Sequence, residues 1–139
     1  MDFDQLFPGR FIKAGEFRGK DVTLTIKDVR VEELPDDKRG TKVKGIVTFV
    51  ETPKEWVLNR TNAECLKHMW GRETTAWHGK RVTLYPAQVK NNLTGQVEPA
   101  IRVRGSPDLE RDTRFDLCLP RKKPIPTTLH ATGKKGQNQ

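Results

Sequence analysis

The order of the hydrophobic patterns constrains this chain more than any single motif. Three runs with strand character come first, at residues 21–34 (DVTLTIKDVRVEEL), 41–51 (TKVKGIVTFVE) and 55–59 (EWVLN). One short helical run follows at 61–71 (TNAECLKHMWG), and two more strand-like runs lie at 80–90 (KRVTLYPAQVK) and 98–105 (EPAIRVRG). In the first run Val22, Leu24 and Ile26 alternate with Thr23 and Thr25, the period of a half-buried strand. The alternation then slips, because Val29 and Val31 continue it on odd positions. One extra residue at Lys27-Asp28, a β-bulge, returns both sets to one face and bends the strand.

The later runs carry the same alternation. Val43, Val47 and Phe49 share a face with Gly45; Val82 and Leu84 oppose Arg81, Thr83 and Tyr85; Ile101 and Val103 oppose Arg102 and Arg104. Pro86 lacks an N–H and must sit at a sheet edge or bulge. In the helical run Thr61 and Glu64 have the spacing of a capping box. Cys65, Leu66, Met69 and Trp70 fall on one helical face, and Gly71 supplies the stop. Phe49 and Trp70 are expected in the core, with Trp77 nearby. Five strands with one helix between the third and fourth point to the all-β class. The expected architecture is a five-stranded OB-like barrel over residues 20–105, a fold that often holds oligonucleotides or oligosaccharides.

Residues 1–19 read as a lead-in that caps the barrel through Phe3, Leu6, Phe7, Phe11 and Phe17. After Gly105 sustained periodicity stops, and Pro107, Pro120, Pro124 and Pro126 interrupt the chain. Residues 106–139 are therefore expected to form a basic, largely flexible tail, with Phe115, Leu117 and Leu119 as docking points. The net charge is +8 across 139 residues, which suits a polyanionic partner. No run reaches the roughly 20 apolar residues of a membrane helix. The start, MDFDQLFPGR, lacks the pattern of a signal peptide, so a cytoplasmic protein is expected. Cys65 and Cys118 are expected as reduced thiols rather than a disulfide framework.

Catalytic signatures are not found. Cys65 and His68 have a C-x-x-H spacing with His78 ten residues on, but a structural zinc site needs four ligands in paired spacings. His68, His78 and His130 are scattered over helix, turn and tail, without a nucleophile, P-loop or dinucleotide motif. Asp36-Asp37 and Glu32-Glu33 read as solvated charge. No enzymatic activity, cofactor or metal is expected.

Nucleic-acid binding accounts for more of the pattern. Single-strand binders combine a basic groove with aromatic platforms for base stacking. Strand one offers Lys27 and Arg30, strand two Lys42 and Lys44, strand four Arg81, Tyr85 and Lys90, and strand five Arg102 and Arg104. Lys38, Arg39 and Lys90 flank the two loops that border the binding face in an OB-fold. Trp56 is a stacking residue or a barrel plug. The bland alternative is that alternating Lys and Arg simply solvate the outside of a sheet.

Taken together, VLNRTNAECLKHMWG, WHGKRVTLYP and EPAIRVRG resemble a group of small phage-encoded OB-fold proteins similar to single-stranded-DNA-binding proteins, over roughly residues 17–104. The resemblance implies sequence-tolerant single-stranded-DNA binding in phage replication, recombination or repair, inside the host cell. Phage or host replication and recombination proteins are the implied protein partners. One departure stands out: the sequence given closes on basic and amide residues, whereas many bacterial single-stranded-DNA-binding proteins end in an acidic tip that recruits enzymes. Two other readings remain: a non-enzymatic protein-interaction module that binds a host or phage protein, and RNA binding.

Overall fold

One long strand, β1 (Val22–Asp36), organises the molecule in a computed structural model that describes residues 11–36, 40–90, 94–119 and 121–133. It is followed by β2 (Gly40–Phe49), β3 (Trp56–Leu58), α1 (Arg60–Trp70), β4 (Arg81–Lys90), β5 (Val97–Ser106), β6 (Thr113–Leu117) and β7 (Ile125–Ala131). Two 3-10 turns, Ala14–Phe17 and Thr74–Trp77, precede β1 and β4. All seven strands join one sheet in the order β3-β2-β1-β4-β5-β7-β6.

β1 has two partners because it is bulged. Val22–Thr25 pair with Leu84–Arg81 of β4, while Ile26–Asp36 pair with Phe49–Gly40 of β2. The register slips between Ile26 and Asp28, so Lys27 is the extra residue that the broken alternation demanded. Ile26, Leu24, Val47, Phe49, Trp56, Leu66, Trp77, Val82, Leu84, Val103 and Leu129 then meet in one buried cluster. Apolar parity in the sequence thus maps onto the inner face, as period-2 side-chain geometry requires. Ile46 is fully buried on the reverse face, opposite Arg30 in the register.

The expected closed five-stranded barrel is not what forms: the sheet has seven strands and is open between β3 and β6. Two contacts explain the opening. The outer edge of β3 is met by the lead-in, where Phe11 bridges to Glu55 and Ile12 N–H donates to the Glu55 carbonyl at 2.8 Å. The outer edge of β5 is met by β7, parallel, at Gly105–His130 and Ser106–Ala131. Of the lead-in, Phe17 is buried in the core and Phe11 is half-buried; Phe3, Leu6 and Phe7 lie outside the described residues.

The chain after Gly105 is not an extended tail in its described part. β6 and β7 pair antiparallel over five residue pairs, Thr113–Leu129 to Leu117–Ile125. Leu129 is fully buried and Leu117 nearly so, which anchors the hairpin, and Phe115 stacks on His68 of α1 at 3.9 Å. Leu117 and Leu129 recur too sparsely for a periodicity signal, and Pro124 and Pro126 obscure the rest. Pro86 sits beyond the end of the β1–β4 pairing, with β5 as its only strand partner, which is where a residue without an N–H is tolerated.

The helix starts one residue earlier than expected and is capped differently. Asn59, not Thr61, is the N-cap: its Oδ1 accepts from the Asn62 N–H at 2.8 Å. Glu64 instead pairs with Arg60 and Lys67, at 2.9 and 2.7 Å. An Asn accepts this bond as readily as Ser or Thr, so Asn59-Arg60-Thr61-Asn62 already satisfies the first turn. Phe49 is buried and Trp70 half-buried. Asn59→Ala should lower the unfolding free energy by about 1 kcal/mol, and Thr61→Ala by clearly less; urea unfolding of the two variants checks the order. At Gly105 a methyl group would overlap the His130 backbone. Gly105→Ala should therefore cost about 2–4 kcal/mol by forcing β7 away from β5, read as a fall in the urea midpoint.

Candidate nucleic-acid interface

A groove of about 890 Å³ lies over the outer side of β1, β4 and β5 and is walled by the end of β7. Its floor is a row of hydroxyls. Thr23 and Thr83 face each other across the β1–β4 pairing, their Oγ1 atoms 2.9 Å apart, and Thr83 Oγ1 is 2.8 Å from Thr132 Oγ1. Three hydroxyls hold three protons and two bonds use two of them. One of the three protons is therefore left over for another acceptor. Thr83 is only 2% exposed because Thr132 covers it.

Arginines form the walls. Arg81 is fastened to Asp108, whose Oδ1 accepts from Arg81 Nη2 at 2.7 Å and Nε at 3.2 Å. Asp108 Oδ2 takes the Arg81 backbone N–H at 2.8 Å, and the buried Ser106 hydroxyl donates to the Arg81 carbonyl at 2.5 Å. The Arg81 hydrogen bond, opposed by burial, holds the Asp108 carboxyl below the usual aspartate range. Arg104 Nε lies 2.7 Å from Asp21 Oδ2, a charge contact without hydrogen-bond alignment. Arg111 also lines the groove and has no ion pair among the described residues. His130 Nδ1 is 3.5 Å from Asp112, whose other oxygen accepts the Ala131 N–H at 2.8 Å. That backbone bond, before any effect of His130, lowers the Asp112 pKa. Arg81, Arg104 and Arg111 against Asp21 and Asp112 leave the lining with one net positive charge when His130 is neutral.

Next to the groove, Tyr85 and Arg102 face each other across β4 and β5. The register slips between Thr83–Gly105 and Leu84–Val103, which makes Arg104 a bulged residue. Its guanidinium carbon lies over the Tyr85 ring, 4.2 Å from the centroid. One face of Tyr85 is therefore covered by a cation, and stacking by a base is left to the other face or to the guanidinium plane itself. Arg102 Nη1 is buried and has no hydrogen-bond partner among the described residues, so a half-buried donor remains unspent.

The other expected contacts are elsewhere. Trp56 is 2% exposed and stacks on Phe49 with ring centroids 6.1 Å apart, so it is core and not a stacking platform. Arg30 is bound by Glu55 through two hydrogen bonds of 2.8 and 3.1 Å and by Glu32 at 2.9 Å. Those carboxylates, Glu55 first, push its pKa up and already compensate its charge. Lys44 is half-buried and faces Glu32 across the β1–β2 pairing. Lys27 is exposed at the bulge and Lys90 is exposed at the far end of β4, both away from the groove lining. Lys38, Arg39 and the side chain of Lys42 lie outside the described residues. The structure thus gathers Arg81, Tyr85, Arg102 and Arg104 and leaves the β1 and β2 cations apart. Arg111, Asp112, His130 and Thr132 were missed, because their region was expected to be a flexible tail.

Burial pushes the Cys65 thiol up to about 11, opposed by Arg102, and the His68 ring stacks on Phe115. Both cysteines are free thiols, and no helix among the described residues is long and apolar enough to cross a membrane. No family model, curated protein or solved structure matches the chain.

The Arg81–Asp108 contact has a pH signature. Its depressed folded pKa means that Asp108 contributes stability above the ordinary aspartate value of about 3.9 and loses it as pH falls through the folded value. Thermal unfolding of wild type and Asp108→Asn should differ at pH 7, and the difference should shrink as pH falls below the ordinary aspartate value. A difference that persists unchanged in acid would count against the contact.

Proposed function

We propose that the β4–β5 face and its groove bind single-stranded DNA without sequence preference, in phage replication, recombination or repair. One observation carries the reading: Arg81, Arg104 and Arg111 line a groove floored by hydroxyls, and the Arg104 guanidinium extends from that lining over the Tyr85 ring. Guanidinium groups and a hydroxyl suit phosphate oxygens, and a tyrosine with an arginine beside it suits an unpaired base. The first five strands run β3-β2-β1-β4-β5, which we read as an OB-like barrel opened between β3 and β5 and extended by β6 and β7. The aspartates beside Arg81 and Arg104 hold the arginines in place at the expense of free charge. Affinity should accordingly be modest, and Arg81 a weaker contributor than Arg102 or Arg111.

Fluorescence polarisation with labelled oligo-dT, oligo-rU and a DNA duplex tests the reading. Oligo-dT should bind best, with a slope of log K against log salt of about −2 to −3 for three or four phosphates. Arg102→Gln and Arg111→Gln should each weaken binding by about three- to tenfold and reduce that slope by roughly 0.7. Tyr85→Ala should lower affinity by about 1–2 kcal/mol with little change in slope. Equal binding of duplex, or none to oligo-dT, would sink the proposal; a preference for oligo-rU would redirect it to RNA.

A second reading, a protein-interaction module, draws on the far end of the β1–β2 hairpin. Val31 and Val43 are 73% and 63% exposed on the side that continues the core row of Val29 and Val47. Val31→Lys with Val43→Lys should leave oligo-dT binding unchanged and abolish co-purification of a partner protein if that face is the interface.

A further inference from the structure

The sheet ends on two strands, β3 and β6, and the two ends differ. The outer side of β3 is met by the lead-in, where Ile12 donates to Glu55. β6 (Thr113–Leu117) pairs with β7, and no other backbone bond reaches it among the described residues. Such an edge is a template for a further strand. One face of β6 is already covered: Phe115 stacks on His68 of α1, and Leu117 is buried. The other face carries Arg114 and Asp116, both exposed and neither in an ion pair among the described residues. Arg114 acts on Asp112 as a neighbouring charge.

Pro126 decides which backbone groups of β6 face outward. Asp116 stands opposite it in the register. Proline has no N–H, so this is a non-hydrogen-bonded pair, and the Asp116 N–H and C=O point away from β7. Arg114, opposite Thr128, lies two residues back and has the same orientation. The Asp116 carbonyl accepts from the Cys118 thiol at 3.6 Å, a weak donor that a strand N–H would replace. The edge thus offers two N–H and two C=O groups on the same residues that carry the two unpaired charges. Read in reverse, Arg114-Phe115-Asp116 sets each charge against its opposite. A second copy laid antiparallel about Phe115 therefore places its Asp116 beside Arg114 and its Arg114 beside Asp116, on one face. Each of these pairs exchanges two backbone bonds, and the opposite charges across the strands add to them.

We propose that β6 is a dimer edge, at which a second copy of this chain pairs antiparallel through Thr113–Leu117 about a two-fold axis at Phe115 and the two sheets become one. The contact is isologous, so it closes on itself and does not propagate. Five residues a side fall well short of the roughly 20–30 of a standard interface, so the dimer is weak and reversible. The edge is separate from the arginine groove and stands whether or not the groove binds DNA. Sedimentation velocity of the full chain across the micromolar range is the test. Wild type should shift from monomer to dimer as concentration rises. Arg114→Asp and Asp116→Arg each set like charges against one another in their own homodimers, and each should weaken self-association by about tenfold or more. An equimolar mixture of the two variants restores both opposite-charge pairs and should dimerise as wild type does, which also shows that both variants fold. A monomeric wild type, unaltered association in the single variants, or no dimer in the mixture would each overturn the proposal. Dimerisation that is kept in both charge variants but lost in Val31→Lys with Val43→Lys would place the interface on the β1–β2 hairpin and overturn it as well.

Discussion

Ile26 is where β1 exchanges one partner strand for another, and the rest of the sheet depends on that exchange. Its N–H donates to the Lys80 carbonyl at 2.9 Å and its carbonyl accepts from the Gly79 N–H at 2.8 Å, on the β4 side. On the other side it pairs with Phe49 of β2. The extra residue Lys27 bends the strand there, so both halves of β1 point their apolar residues into one core. Without the bulge a one-residue slip would turn Val29 and Val31 to the opposite face. The half of β1 before the bend sets Thr23 opposite Thr83 of β4, which makes the groove floor.

The groove shows a trade between position and charge. Arg81 is held by Asp108 through side chain and backbone together, and Arg104 is held by Asp21 and by the Tyr85 ring. Such pairs restrict long side chains, which lowers the entropy lost when a ligand arrives. They also cancel charge, so the chain's net charge of +8 is not concentrated in the groove. Arg111 differs because it has no ion pair among the described residues. Free donors of this kind give a phosphate more to gain than a satisfied arginine does.

Much of the inner architecture was legible. Strand parity placed Val82, Leu84, Ile101 and Val103 inward and Arg81, Tyr85, Arg102 and Arg104 together, and the slip at Lys27-Asp28 foretold the bulge. Asn59 could have been recognised as the cap, since it stands two residues before Thr61 and has an equally good acceptor. Parity could not place Trp56, because a three-residue strand carries almost no alternation. It also could not reveal that Arg30 would meet Glu55, a partner 25 residues away. The β6–β7 hairpin escaped because its two anchors, Leu117 and Leu129, lie in different strands separated by prolines.

By itself, then, the sequence determined which residues face the core of β1, β2, β4 and β5, where β1 bends, and where α1 lies. These follow from local periodicity, turn chemistry and side-chain direction, which act within a few residues. Tertiary structure alone decided that the sheet stays open, with Phe11 on one edge and β7 on the other. It also decided which arginines are spent on carboxylates, and that Arg111, His130 and Thr132 complete the groove. Each of those outcomes is a pairing between distant segments, and the free energy that selects such a partner resides in the assembled fold rather than in any stretch of chain.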